Sequence, residues 1–273
     1  MRTGDATLIH DHLAYLAQRG RRPRTIEARR DAVNRFARWT GRPLREATRE
    51  ELQGYIDAAA APATKRVYLC HLRGFYGWAV DEGHFPADPT RRVYAPLLPR
   101  ALPRPISETD LARALATAPA LVRAWLMLSA FAGLRACEIG PVRGEHVIRH
   151  GAPVLLIPEA KGGGEATVPI APVLLAELEQ WPAYGWAWKP DGPYHPIAVS
   201  RRVNQHLHQL GIAANLHACR HRFGTQTYIA SGRDLRLTQE LLRHASPATT
   251  AVYTAFDPRE ASDVVSRLPT LGA

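Results

Sequence analysis

Several separated side chains in the second half of the sequence are of types that can bind a phosphate group or exchange a proton. In the segment AGLRACE, residues 132–138, a glycine after an apolar helix lets the chain turn and presents Arg135 at the start of the next helix. A guanidinium there can bind a phosphate through two hydrogen bonds, and Glu138 can hold it in place. Taken alone, the pattern more often marks a surface arginine beside a helix-forming glutamate.

Lys161 lies in a predicted hairpin turn and is followed by three glycines, which permit close approach of a ligand. A lysine at a loop tip is usually only solvated. The chain nevertheless contains just three lysines, Lys65, Lys161 and Lys189, and otherwise uses arginine. This scarcity marks Lys161 as a compact ammonium, able to give up a proton, placed at this turn.

The segment HACRH, which starts at His217, is predicted to begin a helix with His217 and Arg220 within one turn of each other. An imidazole can exchange a proton with a reacting phosphate group while a guanidinium neutralises charge. A metal site is an alternative, because His217 and His221 are four residues apart with Cys219 between them. The zinc-protease pattern, however, has Glu where Ala218 stands. A buried, hydrogen-bonded histidine pair is a third interpretation.

The last motif, LLRHASPATTAVY, ends at Tyr253. A helix is predicted to deliver His244, Pro247 to force a turn, and a second short helix from Thr249 and Thr250 to carry Tyr253. A single tyrosine is more often a core or rim aromatic than a nucleophile. Its importance therefore depends on the residues that accompany it.

In this order, the residues together resemble the catalytic set of the tyrosine recombinase, or phage integrase, family. The resemblance spans residues 106–273 and includes the step of nine residues from the last histidine to the tyrosine. It departs at Arg243, where the family usually has glycine, and after the hairpin lysine, where residues 165–167 lack the basic side chains often found there. The matching residues are Arg135, Glu138, Lys161, His217, Arg220, His244 and Tyr253.

The resemblance implies cleavage of DNA by Tyr253, with a 3′-phosphotyrosine intermediate. Arg135 and Arg220 would clamp the phosphate, and Lys161 would protonate the departing 5′ oxygen. Because the covalent link conserves the bond energy, rejoining would need no nucleotide, metal or other cofactor.

Supporting roles also follow from the resemblance. His217 would exchange a proton with the tyrosine, His244 would hydrogen-bond the phosphate, and Glu138 would organise Arg135. The expected partners are double-stranded DNA recombination sites and, because strand exchange pairs two duplexes, three further copies of the chain. The segment from Thr254 to Leu268 would be exchanged between subunits of this homotetramer, and accessory proteins are a further expectation.

The elements that must carry these residues are predicted to be mainly helical. Thr25 can cap a helix with an apolar face, Thr48 and Glu51 form a capping-box pattern, and residues 63–80 have helical spacing. Residues 154–170 have the pattern of a β-hairpin with glycines at its bend. Helical spacing also occurs at 107–131, 173–181, 199–210, 219–231 and 235–242. The predicted fold is mainly α, with an all-helical N-terminal domain and an α+β second domain that contains a small β-sheet.

Prolines divide the sequence. Residues 94–105 contain four of them in twelve positions, which disfavours a helix and indicates an extended linker. The predicted boundaries are 1–94 for the helical domain, 95–105 for the linker and 106–273 for the second domain. By resemblance, the first is a SAM-like core-binding domain and the last is the tyrosine recombinase catalytic domain.

The charge balance favours a polyanionic partner. The chain has 35 basic and 25 acidic side chains, a net charge of +10, and residues 1–97 contribute +6 of it from 17 basic and 11 acidic residues. Such an excess attracts DNA, and also RNA or anionic lipid. Basic helix faces are often only solvated. The candidate DNA contacts are Arg29, Arg30, Lys65, Arg66, Arg201 and Arg202.

The cysteine content and the hydropathy indicate where the protein is located, and two alternative functions stay open. The three unpaired cysteines predict a reducing cytoplasm, and no apolar run approaches the roughly 20 residues that span a bilayer. One alternative is a catalytically silent DNA-binding regulator on the same scaffold. The other is a zinc-dependent hydrolase with ligands at His217, Cys219 and His221. Within the recombinase chemistry, a phage integrase, a transposon recombinase and a Xer-type resolver of replicon dimers all remain open.

Overall fold

The chain forms two compact units, Met1–Arg100 and Ala101–Ala273. The computed structural model describes residues 3–98, 103–158, 160, 164–181, 192–244 and 250. Within the described part of the linker, residues 94–98 and 103–105, the backbone is neither helix nor strand. The exact domain boundaries stay a prediction.

The first unit is a group of helices around an aromatic-rich core. Thr48 caps α3 through the predicted capping box, since its hydroxyl accepts from the Glu51 N–H and the Glu51 carboxylate accepts from the Thr48 N–H. The prediction of Thr25 as a cap is wrong, because α2 begins two residues earlier at Pro23, whose fixed φ suits the first helical position. The helices are α1 (Thr3–Gln18), α2 (Pro23–Thr40), α3 (Arg49–Asp57) and α4 (Pro62–Asp81).

The second unit combines helices with a small sheet. Its core runs along α6, whose long apolar sequence is buried on nearly every side by the neighbouring helices and strands. The helices are α5 (Glu108–Thr117), α6 (Ala120–Ala132), α7 (Ala136–Ile139), α8 (Pro172–Leu178), α9 (Pro196–Gln209), α10 (Leu216–Ala230) and α11 (Leu235–Leu242).

The sheet contains the predicted hairpin and one strand that the sequence pattern did not indicate. Strands β1 (Val147–Ile148), β2 (Val154–Ile157) and β3 (Ala166–Pro169) are antiparallel in the order β1-β2-β3. In the hairpin, Leu155 pairs with Val168, and both are fully buried. The arrangement confirms the predicted fold class, a helical N-terminal domain followed by an α+β domain with a small sheet.

Candidate active site

A glycine turn at the end of α6 introduces the first site residue. Gly133 has a φ of 62°, and a Cβ there would lie 2.4 Å from the Phe223 ring. No other residue fits both the left-handed backbone and this close approach. The chain then places Arg135 immediately before α7, as the sequence predicted.

Glu138 is the buried centre of the site. Its side chain is fully buried, its Oε1 accepts a hydrogen bond from Nη1 of Arg135 at 2.7 Å, and its Oε2 accepts from the Arg135 N–H at 2.9 Å. Burial alone would raise the pKa of Glu138, but the charges of Arg243 and Arg135 and the N–H of Arg135 lower it to about 2. Glu138 therefore stays ionised and fixes the Arg135 guanidinium.

Helix α10 delivers Arg220 to the same carboxylate. The side chain of Asn215 caps the helix by accepting from the Ala218 N–H at 3.0 Å. Arg220 is 1% exposed and its Nη1 lies 4.0 Å from Glu138 Oε2. Its guanidinium donates to the carbonyl of Gly133 and, at 2.5 Å, to that of Leu242.

His217 lies on the exposed side of the start of α10, next to His221. Their rings are 4.5 Å apart in an edge-to-face arrangement. Burial and the nearby Arg220 lower the pKa of His221. Cys219 points into the core instead, where burial raises its pKa to about 12. Among the residues that the structure describes, no group of three or more His, Cys, Asp or Glu is placed to hold a metal ion.

The end of α11 brings His244 to the arginines. The Nδ1 of His244 lies 2.8 Å from the hydroxyl of Thr250, which is fully buried, and its carbonyl accepts from the Gln239 amide at 3.0 Å. Burial, followed by the charges of Arg220 and Arg135, lowers the pKa of His244 to about 4. The imidazole is therefore neutral near pH 7.

Arg243, the residue that departs from the family pattern, belongs to the same cluster. It ends α11 in the left-handed conformation, with φ 54°, and its side chain is 8% exposed. Its Nη2 donates to Glu138 Oε2 at 3.1 Å and to the Gly133 carbonyl at 3.0 Å. Three guanidiniums thus surround one carboxylate, which leaves the cluster two positive charges in excess.

Two predicted site residues lie outside the described part of the chain. These are Lys161, in the connection between β2 and β3, and Tyr253, together with the segment from Thr254 to Leu268. The structure therefore brings together Arg135, Glu138, Arg220 and His244, and puts His217 at the start of the helix that carries Arg220. The roles of all these residues stay proposals.

The candidate DNA contacts on the first unit differ in their surroundings. The guanidinium of Arg29 lies against Gly74, and Nε of Arg30 lies 3.4 Å from the Asp31 carboxylate. Lys65 is 3.6 Å from an Asp57 oxygen and is 19% exposed, whereas Arg66 is exposed. A covered, paired lysine is a poorer phosphate ligand than an exposed arginine.

On the second unit, the two candidate DNA contacts are neighbours on α9. Arg201 and Arg202 are both exposed, and the Arg202 guanidinium lies 5.2 Å from the centroid of the Tyr194 ring. Phosphate contact by Arg201 and Arg202 stays a prediction. Elsewhere, no described helix is long and apolar enough to cross a membrane.

Comparison with known proteins identifies the family. Residues 106–260 match the model of the phage integrase family, and residues 8–83 match that of the phage integrase N-terminal SAM-like domain. The chain belongs to the phage integrase family of tyrosine recombinases. It is a site-specific recombination enzyme that breaks and rejoins DNA strands. The comparisons give no support for a catalytically silent regulator.

Individual relatives are similar to this protein along most of its length. It is 31% identical to the tyrosine recombinase XerC of Xylella fastidiosa strain M23, over 92% of both proteins. It is 26% identical to the integrase of mycobacterium phage Brujita, with a TM-score of 0.50 and coverage of 99% and 95%. A lambda integrase tetramer bound to a Holliday junction shares the fold, with a TM-score of 0.73 at 16% identity over 91% of this chain and 76% of that one.

Two features of the recombinase site were beyond sequence reasoning. The sequence predicted Thr250 only as part of a short helix, yet its hydroxyl is the partner of the His244 ring. Arg243 was noted only as a departure, yet its side chain contacts the Glu138 carboxylate. The position of Thr250, three residues before the proposed tyrosine, did not by itself indicate this contact. Nothing in the local pattern indicated the second.

Proposed function

We propose that Tyr253 is the nucleophile of this recombinase and attacks a DNA phosphate to form a 3′-phosphotyrosine. Arg135 and Arg220 neutralise the charge that grows on the non-bridging oxygens. Lys161 protonates the departing 5′ oxygen. In the second step, the freed 5′ hydroxyl of the partner strand attacks the phosphotyrosine, so that one ester replaces the other and Tyr253 is released.

The observation that carries this proposal is the convergence of three separate chain segments on one carboxylate. Arg135, Arg220 and His244 come from the start of α7, from α10 and from the end of α11, and each lies beside Glu138 or beside a group bound to it. Burying this much positive charge costs stability unless an anion neutralises it. A phosphodiester is such an anion.

The two histidines have distinct places in the proposed reaction. His244 is neutral at pH 7 and has a partner on Nδ1, so its Nε2 can hydrogen-bond a phosphate oxygen without adding charge. His217 is exposed at the start of α10 and exchanges the proton of the tyrosine hydroxyl.

A nicked suicide substrate tests the nucleophile. The binding site is first enriched from random duplexes by affinity, and a nick placed beside the scissile phosphate then lets the leaving strand diffuse away. We expect a detergent-resistant protein–DNA adduct that Tyr253→Phe abolishes and that Tyr228→Phe, the matched control on α10, retains. An adduct that survives Tyr253→Phe would refute the assignment.

We further propose that the active assembly is a homotetramer on two double-stranded recombination sites, in the cytoplasm. The lambda integrase tetramer on a Holliday junction supports this assembly. The segment from Thr254 to Leu268 is exchanged between neighbouring subunits. Truncation after Asp257 retains Tyr253 but should abolish the tetramer on DNA in analytical ultracentrifugation. An unchanged tetramer would contradict the exchange.

The arrangement of the two sites sets the outcome, which is integration, excision or dimer resolution. Accessory proteins that favour one direction are part of the proposal. Recombination of a two-site plasmid with purified protein, compared with the reaction in cell extract, tests them. A reaction as fast and as directional with purified protein alone would argue against such factors.

A further inference from the structure

Arg243 has a left-handed backbone conformation that is unfavourable for a residue with a side chain. Its φ of 54° and ψ of 49° lie in the left-handed region, which glycine adopts readily and which is unfavourable for a residue with a Cβ. The only other non-glycine residue with positive φ in the described chain is Arg233, in the turn between α10 and α11. The backbone conformation at position 243 therefore favours glycine, and an arginine is favourable there only if its side chain forms stabilising contacts.

The side chain of Arg243 is committed to the interior of the site. Nη2 donates to Glu138 Oε2 at 3.1 Å and to the Gly133 carbonyl at 3.0 Å, and Nη1 donates to the Leu241 carbonyl at 2.8 Å. Only 8% of the side chain is exposed. Its guanidinium therefore faces the groups that hold the other arginines.

Those contacts are shared with both phosphate-binding arginines. Glu138 Oε2 also accepts from the backbone N–H of Arg135, and the Gly133 carbonyl also accepts from Arg220. In addition, the carbonyl of Arg243 lies 3.4 Å from Nη2 of Arg135. Arg243 is thus bonded to supports of both Arg135 and Arg220 at once.

We propose that Arg243 is a positioning residue for DNA cleavage, which fixes Arg135 and Arg220 through Glu138 and the Gly133 carbonyl. The proposal rests on the function proposed for these two arginines. Arg135 binds Oε1 of Glu138 and Arg243 binds Oε2, so each oxygen of the buried carboxylate already has a cationic partner. Arg220 therefore stays 4.0 Å from the carboxylate. Arg220 keeps the orientation set by its two carbonyl partners.

The charge of Arg243 points in the same direction. Glycine at this position would leave Arg135, Arg220 and Glu138 with one excess positive charge, and Arg243 raises the excess to two. Mutual repulsion of buried guanidiniums opposes folding, whereas the transition state of phosphoryl transfer carries more negative charge than the bound ester. Arg243 is therefore expected to favour cleavage more than it favours stability.

The test compares cleavage with DNA binding and with stability in the full-length protein. Arg243→Gly removes the side chain and suits the backbone, Arg243→Lys keeps the charge without the planar fork, and Arg243→Met keeps neither. Arg233→Gly is the matched control, since it removes an exposed arginine that also has a left-handed backbone conformation. Each variant is assayed for single-turnover cleavage of the suicide substrate, for affinity to the uncleaved site and for thermal unfolding.

For Arg243→Gly we expect a cleavage rate about 10- to 100-fold below wild type, the range typical of coupled side chains in one buried network. Affinity should change by less than about threefold, and the melting temperature by no more than about 4 °C. Arg243→Lys should fall between wild type and Arg243→Gly. Arg233→Gly should cleave at the wild-type rate. Cleavage by Arg243→Gly at the wild-type rate would overturn the proposal.

A double-mutant cycle separates positioning from a general structural role. In a Glu138→Gln background, Arg243→Gly should slow cleavage by a clearly smaller factor than it does in wild type, because one of the two groups through which Arg243 acts, the carboxylate, is already gone. An undiminished effect would overturn the proposal. If Arg243→Gly does not fold, Lys is compared with Met, and equal cleavage rates for these two unbranched side chains would overturn it as well.

Failure of the positioning role of Arg243 can be distinguished from failure of the proposed function. A wild-type adduct that disappears in Tyr253→Phe establishes the nucleophile before any Arg243 variant is compared. If that adduct forms and Arg243→Gly cleaves at full rate, only the positioning role is wrong. If the adduct persists in Tyr253→Phe, the proposed nucleophile is wrong, whatever the Arg243 variants do.

Discussion

Nη1 of Arg135 lies 2.7 Å from Oε1 of Glu138, whose side chain is completely buried. Both residues are on one short turn, so Glu138 fixes the direction of the Arg135 guanidinium, the first of the two that we propose to bind the phosphate. Because Glu138 is buried, its contribution to the stability of the fold depends on the pH and on the arginines around it.

Glu138→Gln should retain the shape of the side chain but lose the charge that holds Arg135. We expect single-turnover cleavage to fall by about 10- to 100-fold, because a neutral amide gives up the charge-assisted hydrogen bonds. Affinity for the uncleaved site should change little. A variant that cleaves at the wild-type rate would show that Glu138 does not organise Arg135.

The same variant should alter how stability depends on pH. The pKa of Glu138 is about 2 in the folded protein and ordinarily 4.5, so the folded state favours the ionised form. Its contribution is complete above pH 4.5 and is lost as the pH falls toward 2, on the order of 3 kcal/mol in total. Urea unfolding at several pH values should show a shallower acid loss in Glu138→Gln. Parallel curves would contradict the lowered pKa.

Thr250→Val should impair His244 without touching the arginines. Valine removes the hydroxyl that lies 2.8 Å from Nδ1, so the imidazole loses the partner that fixes its tautomer. We expect cleavage to fall by about tenfold, the effect of one weakened hydrogen bond to the phosphate, and Thr250→Ser to restore most of it. Equal cleavage by the Val and Ser variants would rule out a role for the hydroxyl.

Gly133→Ala should weaken both fold and activity. The added Cβ would lie 2.4 Å from the Phe223 ring, at a φ of 62° that disfavours any side chain. Strain and overpacking of this kind destabilise by about 2–4 kcal/mol, which thermal unfolding would reveal. Cleavage should fall further than stability explains, because Arg220 and Arg243 both donate to the Gly133 carbonyl. An alanine variant as stable as wild type would contradict this packing.

The two basic residues at the start of α4 should differ in DNA binding. Arg66 is exposed, whereas Lys65 is largely covered and lies 3.6 Å from Asp57. Arg66→Ala should reduce the slope of log affinity against log salt concentration by about 1, the effect of one lost phosphate contact. Lys65→Ala should leave the slope nearly unchanged. Equal effects would mean that the Asp57 pair breaks on DNA.

The sequence predicted what local patterns encode. Helical periodicity gave the fold class, and the capping box at Thr48 and the glycine turn before Arg135 are written in adjacent residues. The contact of Arg243 with Glu138 joins positions 105 residues apart, and no local pattern specifies such a pair. The start of α2 was misplaced because a proline at the first position competes with Thr25 as a helix signal.

The covalent intermediate identifies the nucleophile directly. After reaction with the suicide substrate, nuclease and protease digestion should leave a nucleotide on a single peptide, and mass spectrometry should locate it on the phenolic oxygen of Tyr253. Arg135→Ala and Arg220→Ala should reduce the yield of this peptide by at least about 100-fold. A nucleotide attached to any other residue, or an adduct retained in Tyr253→Phe, would contradict the account.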